Sequence, residues 1–168
     1  MEVMLDLETM GNGSRAAIIA IGAVAFDQTG VHDHFYSTVD LESSMRAGME
    51  CDASTIMWWM QQSEQARAAF KNPTNETLER ALSAFYEFCQ RNDAAGMWGN
   101  GAAFDNAILS SAYRLCGVEQ PWKFWNDKCY RTIKGLYPDI RLVRKGTHHN
   151  ALDDAISQAE HLIAMNVL

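Results

Sequence analysis

The sequence predicts an α/β fold in which a mixed five-stranded sheet is flanked by helices. Three apolar, strand-like segments come first, and helical patterns then alternate with shorter strand-like segments. This order is typical of a mixed sheet with helices on its faces. Because 168 residues suit one domain with a substantial core, we expect residues 1–168 to form a single domain.

The first three segments have the patterns of β-strands. Residues 3–8 alternate between an apolar face and a face that carries Asp6 and Glu8, as the two-residue period of a strand requires. Residues 18–26 are mostly apolar and bounded by turn residues, so we expect this strand to form a hairpin with the first. Residues 34–39 predict a third strand.

The later segments predict four helices and two short strands. The predicted helices are residues 54–70, ended by Asn72 and Pro73; a helix from Thr74 as N-cap, with Glu76 in its first turn, to about Arg91; residues 106–116, ended by Gly117; and a C-terminal helix capped by Asn150. Short strands are predicted at Met97 and Trp98 and around Cys129 to Ile133.

Composition excludes several classes of protein. The net charge of −7 argues against binding duplex DNA by massed phosphate neutralisation, although bound divalent cations can supply local positive charge. The longest nearly uncharged run, residues 16–26, is too short to span a bilayer, so we expect no membrane protein. Four cysteines without a C-x-x-C pair predict reduced, mostly buried thiols. Strand-like sequence directly after Met1, with no secretory leader, predicts a cytoplasmic location.

Asp6 and Glu8 are two carboxylates on one face of an otherwise apolar strand. Like-charge repulsion raises the pKa of each, and a hard divalent cation with oxygen ligands reverses that effect. The pair therefore indicates a metal site. The alternative is an edge strand with a solvated acidic face.

Two further clusters carry titratable side chains. Asp105 falls near the start of a helix, where an acidic residue also interacts favourably with the helix dipole without any catalytic role. His148, His149, Asp153 and Asp154 surround the start of the last helix. Helical geometry separates His149 from Asp154 by about 140°, so His149 is expected on the loop before the helix. Periodicity does not choose between Asp153 and Asp154.

Together these clusters resemble the three motifs of the DnaQ-like DEDDh exonucleases, which have a ribonuclease H-like fold. The motifs are D-x-E at Asp6 and Glu8, N-x-x-x-F-D from Asn100 to Asp105, and H-x-A-x-x-D from His149 to Asp154. The last motif favours Asp154 over Asp153 and His149 over His148. Trp58-Trp59, Trp98 to Asp105, and Phe124 to Asp127 with Arg131-Thr132 are similar to a subgroup of phage DexA-type exonucleases and mycobacterial-type exoribonucleases.

The resemblance implies a metal-dependent 3′-5′ exonuclease that acts on single-stranded nucleic acid with a free 3′ end. Asp6, Glu8, Asp105 and Asp154 would hold two cations, and His149 would act as general base. Carboxylate and water ligands suit Mg²⁺ or Mn²⁺. Substrate contacts are expected from a set of neighbouring residues: Thr9, Met10, Trp59, Asn100, Phe104 and Arg131. Of the adjacent pair Trp58 and Trp59, at least one is expected in the core.

The sequence leaves two other functional interpretations open. One is a catalytically silent nucleic-acid-binding or protein-docking module of the same fold, and another is an internally cutting nuclease of the wider ribonuclease H-like group. The residues do not distinguish RNA from DNA, because none is identified as reading the 2′-OH. Relatives are often dimers, so a homodimer is an expectation that rests on analogy alone.

Overall fold

A five-stranded mixed sheet lies at the centre of the molecule, which a computed structural model describes over residues 1–71 and 75–168. The strands are β1 (Glu2–Thr9), β2 (Ile18–Asp27), β3 (Gly30–Thr38), β4 (Gly96–Gly99) and β5 (Asp127–Cys129). Their order is β3-β2-β1-β4-β5, with β1, β2 and β3 antiparallel and with β4 and β5 parallel to β1. The predicted fold class and the hairpin of the first two strands are therefore confirmed.

Helices cover both faces of this sheet. They are α1 (Leu41–Arg46), α2 (Ala53–Met60), α3 (Leu78–Arg91), α4 (Asp105–Cys116), α5 (Tyr130–Leu136) and α6 (Ala151–Met165), with 3₁₀ turns at Ala66–Lys71 and Phe124–Asn126. Within the described ranges, no helix has the length and apolar character needed to cross a bilayer.

The alternation of β1 divides the core between the two faces of the sheet. Val3, Leu5 and Leu7 point into a core with α3 and α4. Met4 points the other way, into a second core that α6 covers. Because side chains alternate along a strand, Asp6 and Glu8 share the face of Met4 and lie beneath α6. The sheet thereby presents two carboxylates to the helix that carries Asp153 and Asp154.

The predicted helix over residues 54–70 is wrong in its middle. Helix α2 ends at Met60, Gln61 is its C-cap, and a 3₁₀ turn begins only at Ala66. The intervening residues 61–65 are all polar, so a helix over them would present no apolar face to the core, and packing would not stabilise it. The predicted stop at Asn72 and Pro73 lies outside the described residues.

The next helix begins later than predicted. Its N-cap is Thr77, whose hydroxyl accepts a hydrogen bond from the Arg80 N–H, and Glu76 precedes the helix instead of lying in its first turn. The Glu76 backbone N–H donates to a carbonyl of β3, and its carbonyl accepts from the Asp40 N–H. These tertiary contacts keep Glu76 out of the helix. Thr74, the predicted cap, lies outside the described residues.

Several shorter elements also differ from the sequence prediction. The third strand starts at Gly30, four residues early, and the short helix α1 was not predicted. The last strand ends at Cys129, and residues to Leu136 are helical instead of extended. Buried Tyr130 explains that change, because its hydroxyl hydrogen-bonds His161 on α6 and turns the chain away from the sheet. Among the cysteines, all free, only Cys89 is buried, which corrects the expectation of mostly buried thiols.

Candidate active site

The five predicted catalytic residues meet in one cleft of about 200 Å³ at the ends of β1 and β4. The cleft is lined by Asp6, Leu7, Glu8, Asn100, Phe104, Asp105, Arg131, Arg144, His148, His149, Asp154 and Gln158. The five predicted catalytic residues come from three distant parts of the chain. The sheet and α6 bring them together because the parallel strands β1 and β4 end at the same edge.

Gly22 allows α6 to approach the first two carboxylates. It pairs with Asp6 across the β1–β2 ladder, and the start of α6 lies directly on it. A Cβ at this position would lie 2.2 Å from the Ala151 carbonyl carbon, which real side chains do not tolerate. The absence of a side chain at Gly22 therefore sets how closely Asp154, in the first turn of α6, comes to Asp6 and Glu8.

Asp105 is fixed at the first residue of α4 by contacts with the sheet. Its Oδ1 accepts the Leu7 backbone N–H at 3.1 Å, which ties it to β1. The next residue, Asn106, donates to the Met97 carbonyl at 2.9 Å and to Asp127 at 2.8 Å, so the helix start is held to both β4 and β5. Asp105 is therefore more than an acidic helix terminus, since its carboxylate is aimed at the end of β1.

The four carboxylates are close together and buried. Oxygens of Asp6, Glu8 and Asp154 lie within 4.8 Å of one another. Each of the four residues is less than 10% exposed, which excludes the alternative of a solvated acidic edge strand. The Asp105 Oδ2 is buried with no hydrogen-bond partner in the described part of the chain. Such an atom is costly to bury unless something binds it.

Burial and mutual repulsion raise the pKa values of these acids. Burial is the main cause for Asp6, whose pKa lies well above its ordinary value, with added repulsion from Asp105, Glu8 and Asp154. Burial likewise raises the pKa of Glu8 to about 8 and that of Asp105 to about 7. Carboxylates in this state require a partner of opposite charge to ionise together at neutral pH. The residues present therefore fit a site for divalent cations.

The loop before α6 positions His149 and selects Asp154. Asn150 caps the helix by accepting from the N–H groups of residues 152 and 153, and His149 precedes it with a left-handed φ of 64°. The His149 N–H donates to Asp154 Oδ2 at 3.0 Å, while Asp153 instead accepts from Thr147 and does not line the cleft. His149 is thus on the loop, as predicted, and Asp154 is the residue that faces Asp6 and Glu8.

Aromatic rings surround the His149 imidazole. Trp58 meets it edge to face with centroids 4.9 Å apart, and the His148 ring stacks on it at 3.8 Å. Burial, together with the neighbouring His148, lowers the pKa of His149 from its ordinary value of 6.5. The imidazole is therefore neutral at neutral pH and can accept a proton. His148, His149 and Asp154 also form a second group with ligand atoms within 4.8 Å, which the sequence did not predict as a metal site.

Two polar residues that line the cleft were missed in the sequence. Gln158 is buried, and its Nε2 donates to Asp6 Oδ1 at 2.8 Å. Arg144 donates from Nη1 to Asp154 Oδ1 at 2.7 Å. The four-residue spacing from Asp154 to Gln158 was the available signal, since such residues share a helix face. Arg144 lies in an irregular segment, where no periodicity places a side chain.

Three of the predicted substrate contacts line the cleft or its rim. Asn100 and Phe104 are partly exposed there. Arg131 is exposed, and its guanidinium donates to the Asn100 carbonyl at 2.7 Å. Its positive charge also lowers the pKa of Asp105, against the larger effect of burial. The structure places these three side chains at the cleft, and their contact with substrate stays a prediction.

The other three predicted contacts are buried. Met10 is packed in the core, which contradicts the substrate contact expected for it. Trp59 is only 3% exposed and donates its indole N–H to the Thr9 carbonyl at 2.8 Å, whereas Trp58 is 40% exposed. Thr9, Trp58 and Trp59 all line a second hollow beside the cleft, so the substrate contacts of Thr9 and Trp59 stay predictions, and Trp58 is the more exposed of the two rings. Thr9 is buried and its hydroxyl donates to the Gly11 carbonyl.

The chain is similar in sequence to known exonucleases. A family described as the 3′-5′ exoribonuclease Rv2179c-like domain matches residues 1–165. The exodeoxyribonuclease of Enterobacteria phage T4 is 28% identical over 158 residues, which cover 78% of this chain and 69% of the phage protein.

Two solved structures have a similar fold. The nuclease domain of 3′hExo, a DEDDh family member bound to rAMP, superposes with a TM-score of 0.67 at 14% identity, covering 98% of this chain and 90% of the other. Exonuclease X, in complex with 5′ overhanging duplex DNA, gives a TM-score of 0.62 at 19% identity, with 99% and 92% covered. At such identities the likeness concerns the fold.

Proposed function

The chain belongs to the Rv2179c-like family of 3′-5′ exoribonuclease domains and is a 3′-5′ exonuclease of the DEDDh type. We propose that it hydrolyses single-stranded nucleic acid from a free 3′ end. In this proposal the reaction uses two divalent cations, and His149 is the general base. The observation that carries the proposal is the convergence of four buried carboxylates and the His149 imidazole in a single cleft.

The proposed ligands of the two cations are Asp6, Glu8, Asp105 and Asp154. Their oxygen donors favour Mg²⁺ or Mn²⁺. When bound, the cations polarise the phosphoryl group, stabilise the attacking and leaving oxygens, and lower the pKa of bound water. Gln158 holds the Asp6 carboxylate by its amide N–H, and the Leu7 N–H holds that of Asp105, so two ligands are oriented before a cation arrives.

His149 is proposed to accept the proton of the attacking water. Its lowered pKa keeps the imidazole neutral, as a base must be, and its loop position with a left-handed backbone allows adjustment when substrate binds. The Trp58 ring limits where the imidazole can point. His148 is more exposed and is not assigned this role.

A second hollow, of about 250 Å³, adjoins the cleft and suits a terminal nucleotide. Leu7, Glu8 and Phe104 line both cavities. The hollow is also lined by Thr9, Thr55, Trp58 and Trp59. An exposed indole and a phenyl ring can stack a base without reading its identity. This arrangement supports a single strand whose last base is unstacked, and it gives no support to the alternative of a catalytically silent module, which needs no filled catalytic positions.

The test is degradation of 3′-labelled and 5′-labelled single strands with Mg²⁺ or Mn²⁺. Mononucleotides released first from the 3′ end are the expected result, and a circular strand or a 3′-phosphate should resist attack. Internal fragments at early times, or equal rates on linear and circular strands, would contradict the proposal and favour an internally cutting nuclease.

The same assay on matched RNA and DNA strands identifies the sugar preference. The family description names an exoribonuclease and the phage relative is an exodeoxyribonuclease. We propose that both sugars are bound and that the ratio of kcat/KM values measures the preference. The matched control is a DNA strand that carries a single ribonucleotide at its 3′ end, because it differs from the DNA strand only in the terminal 2′-OH.

A further inference from the structure

Arg144 contacts the cluster of carboxylates directly. Its Nη1 lies 2.7 Å from Asp154 Oδ1, and its side chain is half-exposed along the wall of the cleft. Within residues 1–71 and 75–168, Asp154 is the one member of the four that forms an ion pair with a cationic side chain. Asp6 by contrast accepts its hydrogen bond from the neutral amide of Gln158.

The backbone next to Arg144 is held firmly against α6. The Lys145 N–H donates to the buried Ser157 hydroxyl at 2.9 Å, and the Thr147 N–H donates to Asp153 Oδ2 at 2.7 Å. Between them, Gly146 has a φ of 65°, and a Cβ there would overlap the Asp153 carboxylate. These contacts fix where the Arg144 side chain begins and keep its guanidinium within reach of the cleft.

Arg144 and a divalent cation would compete for Asp154. Both are positive and both require the same carboxylate, and their mutual repulsion is strong at a partly buried site. The guanidinium therefore opposes metal loading, and once a cation is bound it must find another anionic partner. The substrate supplies one, because its phosphate is the anionic group that enters this cleft, which Arg144 lines together with one further arginine, Arg131. A planar guanidinium matches two phosphate oxygens.

We propose that Arg144 is a phosphate-binding residue of this active site, whose guanidinium is held by Asp154 in the metal-free protein and transfers to the substrate phosphate once divalent cations are bound. The inference rests on the proposed function and adds to it a residue that no motif contains. It makes Arg144 counteract metal binding and promote phosphate binding, two effects of opposite sign that a merely structural ion pair would not produce.

The test measures both effects on Arg144→Gln without any turnover. Mn²⁺ is titrated in the absence of nucleic acid, followed by tryptophan fluorescence or calorimetry, and adenosine 5′-monophosphate is then titrated into the Mn²⁺-loaded protein. We expect Mn²⁺ to bind about 3- to 10-fold more tightly than to the unaltered protein, and the mononucleotide to bind about 10-fold more weakly, as loss of one charge-assisted contact implies. For both Mn²⁺ and the mononucleotide, the affinity of Arg144→Lys should lie between that of the unaltered protein and that of Arg144→Gln.

Lys145→Gln is the matched control. It removes the same charge from the neighbouring residue, whose ammonium pairs with Glu160 and does not line the cleft. Both affinities should stay within about twofold of the unaltered protein. Unchanged or weaker Mn²⁺ binding by folded Arg144→Gln, or unchanged mononucleotide binding, would overturn the inference. If both affinities shift as expected while the unaltered protein fails to shorten 3′ ends, the proposed function fails and the inference stands.

Discussion

The two walls of the cleft are built in opposite ways. The carboxylate wall consists of Asp6, Glu8 and Asp105 at the ends of β1 and β4, buried and held by the sheet. The loop wall consists of Arg144, His148 and His149, which lie in irregular backbone and are partly or largely exposed. Burial raises the pKa of the acids on the first wall, and it lowers the pKa of His149 on the second.

This difference separates two tasks. Holding two cations requires fixed oxygens in a low-dielectric place, and a sheet end supplies them because its backbone hydrogen bonds leave little freedom. Moving a proton and meeting a substrate require side chains that adjust, and loops supply those. The first wall should therefore respond to substitution with loss of metal, and the second with loss of rate or substrate affinity while metal remains bound.

The largest expected effect is on the acidic residues, Asp6 of the carboxylate wall and Asp154 of α6. Asp6→Asn and Asp154→Asn should each weaken Mg²⁺ or Mn²⁺ binding and abolish turnover, because each removes an anionic ligand. Calorimetric metal titration and 3′-end degradation measure the two quantities. Asp153→Asn is the control: its side chain holds Thr147 and lies outside the cleft, so it should retain activity. Full cleavage by Asp6→Asn in the same assay would contradict the assignment of Asp6 as a metal ligand.

A smaller effect is expected on the loop wall. His149→Ala should leave divalent-metal affinity nearly unchanged and lower kcat by about 10²- to 10⁴-fold, as loss of a general base does. The pKa of His149 lies below 6.5, so the acidic limb of the rate profile should fall below that pH and disappear in the variant.

His148→Ala is the matched histidine control and should cost far less activity. If His148→Ala is inactive and His149→Ala is fully active, the third motif is displaced by one residue, and Asp154 must be re-examined against Asp153.

The tryptophan beside His149 should show a milder effect on substrate binding. Trp58→Ala should raise KM by the equivalent of about 1–3 kcal/mol, because one stacking contact is lost. A smaller fall in kcat should accompany it, because the ring also restricts the orientation of the His149 imidazole. Fluorescence titration with a short strand in Ca²⁺ measures affinity without turnover. Trp125→Ala, another exposed tryptophan that does not line the cleft, should leave affinity unchanged. Equal losses in both variants would argue for nonspecific contacts.

The smallest effect is on stability. The folded protein holds protons on Glu8 and Asp105 up to pH values of about 8 and 7, well above their ordinary values, whereas the unfolded chain loses them near pH 4. Between these limits the folded state binds more protons, so its stability falls as pH rises. In chelator, Tm should drop by several °C from pH 5.5 to 7.5, and Mn²⁺ should restore it most at the higher pH. A Tm that rises over this interval in chelator would contradict buried, repelling acids.

The existence of the five strands and the five residues that meet in the cleft could be predicted from the sequence. The alternation of β1 placed Asp6 and Glu8 on one face, and motif spacing distinguished Asp154 from Asp153 where periodicity did not. The errors fell where local pattern is weak. The start of α3 and the turn at Tyr130 depend on contacts with distant elements, as do the burial of Met10 and that of Trp59.

The sequence alone encodes the sheet-and-helix order, the acidic clusters and the histidine before the last helix, because each has a side-chain period or a short spacing. How near those groups lie depends on the packing of distant segments. Contact of α6 with Gly22 brings Asp154 to Asp6, the packing of α6 aims Gln158 at the same carboxylate, and a loop bound to Ser157 delivers Arg144. Such contacts join residues more than ten positions apart, and close packing of distant segments leaves no periodic trace in the chain.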